Sequence, residues 1–208
     1  AAALLEEAAG GGAPVVELAP KVFNTLTDTV ASQGVIAVLP IPRVTPPARP
    51  TFILVLDQLR DPGNVGTILR GAEAAGAHQV ILTPGSVDPW SPKVVRSGMG
   101  AHFRLPLLAA KTWDTVDAAL GGVPVWLSDA RGARPYDEVD WTGPFALVIG
   151  GEATGSTPEA WAAPAGRVMI PMAQPVESLN AAMAATVFMF EAARQRRKAS
   201  GNSGQIVR

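Results

Sequence analysis

From residue 52 onward, short apolar runs alternate with longer mixed segments in a regular beat. FILVL (52–56) is apolar without interruption, as expected of a strand buried on both faces of a parallel sheet. QVILT (79–83), FRLPLL (103–108), VPVWLS (123–128), FALVIG (145–150) and RVMI (167–170) read as further strands, bounded by turn residues. Between them, 64–75, 91–98, 112–120 and 157–163 read as helices. Asn64 is placed to cap the first of these and Gly76 to stop it. A last helix runs from Ser178 to Arg197, with Ser178 as its expected N-cap. The segment 130–143 reads as a loop with a short acidic run. This alternation predicts an α/β fold in which helices cover a parallel sheet.

The pattern before residue 51 is different. Residues 1–9 are helix-prone and end in Gly10-Gly11-Gly12. Val15–Leu18 and Gly34–Pro40 are strand-like, and Lys21–Val30 helix-like. Together they suggest the back half of a small α/β domain, and the abrupt start predicts more chain upstream. Residues 41–50 are proline-rich without an apolar period, which marks a semi-rigid linker and a domain boundary. The chemistry-bearing domain is therefore expected over 51–198, with a polar, frayed tail over 199–208.

Composition narrows the chemistry. The 208 residues include no cysteine, which excludes disulfides, thiolate metal sites and cysteine nucleophiles. His78 and His102 lie far apart and outside any metal-spaced cluster, so no metal is expected. No apolar run approaches the roughly 20 residues of a membrane span. The N-terminal stretch lacks the order of a signal peptide, so a cytoplasmic protein is expected. A net charge of −1 excludes a globally basic nucleic-acid binder, but not a local basic face.

Four groupings carry candidate chemistry. Asn64 and Arg70 share a helix, offset by about 120° at the standard 3.6 residues per turn. An Arg there can fork onto a phosphate or carboxylate, although a cap and a solvated Arg explain the pair more simply. Gly150-Gly151-Glu152-Ala153-Thr154-Gly155 follows a buried strand. It fits neither the dinucleotide fingerprint nor a P-loop, yet ligands of open α/β sheets sit at such strand ends. Ser178-Leu179-Asn180 opens the last helix without a hydrolase-type partner for Ser178. Arg194, Arg196, Arg197 and Lys198 close that helix, where they either complement its dipole or form a phosphate rim. Arg131 and Arg134 extend that possible surface. Trp90 and Tyr136 read as packing residues or base-stacking platforms.

Taken in order, DPGNVGTILRGAEAAGA, LVIGGEATG and IPMAQPVESLNAAMAATVFMFEAARQ resemble the three motifs of the SpoU (TrmH-type) RNA ribose 2′-O-methyltransferases. These belong to the knotted SPOUT superfamily. The resemblance spans roughly Phe52 to Arg197. Residues 29–40 resemble, more loosely, the end of an L30e-like RNA-binding domain. The resemblance implies a parallel-sheet α/β knot with a deep C-terminal trefoil. It implies S-adenosylmethionine held near Leu127, Gly150, Gly151, Ile170, Met172 and Leu179, and a polar set of Asn64, Arg70, Glu152, Ser178 and Asn180. It implies a homodimer in which Arg70 completes the partner's site, and an RNA substrate, ribosomal in preference to transfer RNA. The alternatives are a transfer-RNA methylase and a non-catalytic RNA-binding protein that kept the fold.

A ribose 2′-hydroxyl must lose its proton as it attacks a sulfonium methyl in line. The resemblance makes Arg70 the proton acceptor. Alternatively Arg70, as a guanidinium that stays protonated, orients an RNA phosphate and stabilises the developing alkoxide. Three positions depart from the family motifs: Gly151 stands for Asn, Ala153 for Gly and Ala182 for Ser.

Overall fold

The sheet is organised by how its strands share their apolar residues between two faces. The computed structural model describes residues 2–27, 32–151, 155–162, 165–174 and 178–201. Its strands are β1 (Phe52–Asp57), β2 (Gln79–Leu82), β3 (Leu107–Ala109), β4 (Val125–Ser128), β5 (Arg134–Pro135), β6 (Phe145–Gly150) and β7 (Gly166–Met169). They form one sheet of order β3-β2-β1-β6-β4-β7-β5, and every pairing is parallel.

The helices are α1 (Ala2–Gly10), α2 (Pro20–Phe23), α3 (Pro62–Ala75), α4 (Pro92–Ser97), α5 (Trp113–Leu120), α6 (Pro158–Ala162) and α7 (Ala181–Ala199). Along β1, Phe52, Leu54 and Leu56 pack with Ile68 and Leu69 of α3 and Phe188 and Met189 of α7. Ile53 and Val55 face the opposite core, with Val116 and Leu120 of α5 and Ala160 of α6. Period-two alternation thus sends successive side chains into two different cores. That is why β1 reads as an unbroken apolar run.

Several expectations are corrected. The N-cap of α3 is Asp61, not Asn64: its carboxylate accepts from the Asn64 amide at 2.7 Å. Pro62, suited to the first helical turn, fixes that start. Gly76 closes α3 in the left-handed region at φ 79°, which a glycine adopts without steric cost. The N-cap of α7 is Asn180, not Ser178. FRLPLL shortens to Leu107–Ala109, because residues 101–103 turn into a 3-10 helix before Pro106. The loop 130–143 contains a two-residue strand, β5, and a 3-10 turn.

The chain divides into two units, Ala1–Ile41 and Pro42–Arg208. In the first, the strands expected at Val15–Leu18 and Gly34–Pro40 do not form among the described residues. Val16 and Val38 are exposed, 75% and 94% respectively. Without a neighbouring strand to pair with, an extended apolar segment gains nothing from its β propensity. The expected helix Lys21–Val30 is described only as Pro20–Phe23, and residues 28–31 lie outside the described set. Among the described residues no helix is long and apolar enough to cross a membrane.

Candidate active site

A parallel sheet brings the C-terminal ends of its strands to one edge, and the site is built there. The register sets Asp57 of β1 against Gly150 of β6, and Ser128 of β4 against Val168 of β7. Beyond these ends lies a cleft of about 250 Å³. Gly150, Gly151, Gly155 and Ser156 form one wall, Ser128, Asp129 and Ala130 a second, and Ile170, Met172, Ser178 and Leu179 a third. Phe188 of α7 and Trp161 of α6 also line it. The glycine wall is tightly folded. The Gly155 amide donates to the Gly151 carbonyl at 3.0 Å, and a Cβ on Gly150 would lie 2.5 Å from Ser156 Oγ.

Of the six residues expected around the cofactor, Gly150, Gly151, Ile170, Met172 and Leu179 line this cleft. Leu127 does not. It is fully buried in the core beneath α5 and α6, and the next three residues, Ser128, Asp129 and Ala130, reach the cleft instead.

The polar set is divided. Ser178 lines the cleft. Two residues on, Asn180 accepts with Oδ1 from the amides of Ala182 and Met183, at 3.0 and 3.2 Å. Its Nδ2 donates to Asn64 Oδ1 at 3.0 Å, joining residues 116 apart. Capping aims the Asn180 amide across to α3, where Asp61 has already taken the Asn64 backbone N–H. Small residues permit the close approach of the two helices: a Cβ on Gly71 would meet Met189 Cε at 2.8 Å. Arg70 is exposed and does not line the cleft. It has no hydrogen-bond partner among the described residues. Glu152 lies outside the described residues.

The basic end of α7 resolves largely into structure. Arg196 donates to the carbonyls of Thr51, Trp141 and Gly143 at 2.6, 2.9 and 2.6 Å. Its guanidinium lies over the Phe52 and Phe145 rings. Burial holds its pKa below the usual arginine value. Arg194 pairs with Glu191 at 2.6 Å, which lowers the Glu191 pKa through that hydrogen bond. The aromatics pack as well: Trp90 lies against His102, and Tyr136 edge-on to Phe188. Among the described residues, no group of three or more His, Cys, Asp or Glu is arranged to hold a metal ion.

The model of the SpoU rRNA methylase family matches residues 51–190. The chain belongs to that family. The SpoU match covers both cleft-forming motifs and the Asn64–Arg70 segment. Mouse mitochondrial rRNA methyltransferase 3 is 36% identical over 82% of this chain and 55% of its own length. The Bacillus subtilis 23S rRNA (guanosine(2553)-2′-O)-methyltransferase RlmP is 32% identical over 83% of this chain and 70% of its own. An S-adenosylmethionine-bound rRNA methyltransferase from Sinorhizobium meliloti superposes with a TM-score of 0.75 at 33% identity, over 91% of this chain and 75% of that one. The chain spans little more than half the length of its rRNA methyltransferase 3 relatives. These findings bear out the resemblance and the parallel α/β architecture expected from the motifs.

Sequence reasoning missed Ser128, Asp129, Ser156 and Trp161, which line the cleft, and Asp57, which does not line it but accepts from the Thr157 amide. Ser128 and Asp129 carry a legible signal, since they directly follow a buried strand whose end faces the ligand edge. Asp57 closes the FILVLD run in the same way.

Proposed function

We propose that this protein transfers a methyl group from S-adenosylmethionine to a ribose 2′-hydroxyl of ribosomal RNA. The observation that carries the reading is the cleft beyond β4, β6 and β7, joined to Asn64 through Asn180. The cleft suits the cosubstrate: glycine backbone and apolar Ile170, Met172 and Leu179 offer a surface for the adenosine, and Ser128, Ser156 and Ser178 offer hydroxyls. Asp129 supplies a carboxylate, already ordered by the Arg131 amide and by Arg167 at 3.2 Å. Bound there, the sulfonium supplies an electrophilic methyl.

This chain's residues then have distinct tasks. Backbone around Gly150, Gly151 and Leu179 binds and orients the cosubstrate. Asn64, Ser178, Asn180 and Glu152 position the ribose. Arg70 holds an RNA phosphate and stabilises the alkoxide as the 2′-hydroxyl attacks. The C2′-oxygen gains the methyl, the thioether leaves, and the hydroxyl proton passes to a phosphate oxygen or water. The exposed, unengaged position of Arg70 supports its use in a partner's site within a homodimer. So does the apolar stripe of Met183 and Phe190 on α7, seven residues apart and 61% and 47% exposed. The expected C-terminal knot belongs to the same reading. Its support is that β6 and β7 flank β4, so the chain crosses that strand to reach α7.

Calorimetric titration with S-adenosylmethionine tests the proposal at its base. Saturable one-site binding is expected, with competition by S-adenosylhomocysteine. A protein that is folded yet binds neither refutes it.

A further inference from the structure

Asp57 is fully buried at the C-terminal end of β1, and it spans two loops that meet at the cleft. Its Oδ1 accepts from Thr83 Oγ1 at 2.8 Å. Its Oδ2 accepts from the backbone N–H of Thr157 at 2.7 Å, one hundred residues away. Thr157 ends the loop that starts at Gly150 and Gly151, so the carboxylate holds the far end of the glycine wall. A buried carboxylate is costly unless its oxygens are satisfied, and here the donors are a hydroxyl and an amide rather than a cation.

The near end packs against the same network. Thr83 Oγ1 also accepts from the Gln58 backbone N–H at 3.0 Å. Gln58 has φ 52°, a left-handed conformation uncommon outside glycine that persists only where its surroundings impose it. That conformation brings the Gln58 carbonyl against the loop: a Cβ on Gly151 would lie 2.9 Å from its oxygen. The buried carboxylate therefore bonds the far end directly, at Thr157, and through the Thr83 hydroxyl it orders the Gln58 backbone that packs against the near end at Gly151.

We propose that Asp57 is a positioning residue, holding the loop after β6 so that the cleft wall is preformed for S-adenosylmethionine. This rests on reading the cleft as the S-adenosylmethionine site. Asp57 touches neither the cleft nor the reacting atoms. Its effect passes through Thr157 on one side and through Thr83 and Gln58 on the other. Preorganisation of this kind lowers the ordering cost of binding, so its loss shows in cosubstrate affinity and KM before it shows in kcat.

The test compares Asp57→Asn and Thr83→Val with wild type in three measurements: thermal melting, hydrogen exchange at the Thr157 amide, and S-adenosylmethionine binding with steady-state kinetics. Asn keeps the shape of Asp57, but it cannot accept from both donors with two oxygens. The expected result for Asp57→Asn is Thr157 exchange faster by about tenfold or more relative to the Val55 amide. The Kd and KM for S-adenosylmethionine should rise by about tenfold, with kcat changed less than threefold. Thr83→Val keeps the carboxylate and loses only the hydroxyl. It should raise Kd by about threefold, and it carries the test if Asp57→Asn does not fold. Unchanged Thr157 exchange in a folded Asp57→Asn protein, or wild-type Kd and KM in a folded variant of either kind, overturns the inference. A wild-type protein that fails to bind S-adenosylmethionine overturns the functional reading instead, while the exchange measurement still reads the clamp.

Discussion

Asn180 serves two roles that can be separated by substitution. Its Oδ1 caps α7 and its Nδ2 reaches Asn64. Replacing it by Ala removes both. Loss of an Asn cap costs about 1 kcal/mol, and a neutral bond between exposed side chains about 0.5–1 kcal/mol more. At about 2–4 °C per kcal/mol for a unit of this size, Asn180→Ala should melt about 3–8 °C below wild type. Asn180→Asp keeps an acceptor for the Ala182 and Met183 amides. It also adds negative charge at a helix N-terminus, a favourable change of about 0.3–1 kcal/mol. But a carboxylate there can only accept, so Asn64 must turn its amide over to donate Nδ2, and the native direction of the bridge is reversed. Its melting temperature should stay within about 2 °C of wild type, while methyl transfer falls roughly tenfold or more. Melting curves paired with initial rates of transfer decide the matter. An Asn180→Asp protein with full turnover would refute the role given to the Asn64–Asn180 bridge. An Asn180→Ala protein with unaltered melting would refute the cap.

Further outcomes follow from other contacts. Gly66→Ala places a Cβ 1.8 Å from Ser97 Oγ and 2.8 Å from the Val94 carbonyl, so it should cost about 1–3 kcal/mol in urea unfolding; adding Ser97→Ala should restore only part, since the carbonyl remains. Arg196→Ala strips donors from three carbonyls and should cost about 2–4 kcal/mol in the same assay, with Arg196→Lys recovering a minor part because an ammonium cannot fork. His78 accepts from the Thr51 amide at 3.0 Å, and burial, then Arg196, lowers its pKa below 6.5. The folded state therefore resists taking up that proton. Its contribution to stability is complete above the unfolded value and is lost as pH falls through the lowered folded one. His78→Asn, which keeps an acceptor without a titrating ring, should flatten the decline in unfolding free energy measured between pH 7.5 and 5. Arg70→Ala should lower turnover roughly a hundredfold while calorimetry finds S-adenosylmethionine affinity within about twofold of wild type.

Much of the fold was legible because parallel strands buried on both faces announce themselves as unbroken apolar runs, as at Phe52–Leu56 and Phe145–Ile149. Where the sequence misled, the cause is local competition between chemically equivalent residues. DPGN holds two acceptors able to cap α3, and Pro62 decides for Asp61. Ser178 and Asn180 compete likewise at α7. In FRLPLL, apolar content suggested a strand throughout, but the 3-10 helix Ala101–Phe103 and the turn that follows it delay the strand to Leu107. Val15–Leu18 has the composition of a strand and no partner to pair with. At the site, glycine-rich turns after strands were visible in the sequence. The links from Asn64 to Asn180 and from Asp57 to Thr157 were not, because each joins residues a hundred or more positions apart and neither has a periodic signal. The basic run at the end of α7 looked equally suited to a phosphate rim. Only the position of the aromatic rings and carbonyls around Arg196 shows it tying α7 to the starts of β1 and β6.

The most direct test of the central claim is methyl transfer from labelled S-adenosylmethionine to unmodified RNA, with ribosomal and transfer fractions separated and then digested with alkali. Methylation of a 2′-oxygen blocks cleavage of the adjoining phosphodiester, so the label should survive in alkali-resistant dinucleotides from the ribosomal fraction. Label confined to ordinary mononucleotides would place the methyl on a base and contradict the account. Resistant label in the transfer fraction alone would keep the chemistry and overturn the substrate.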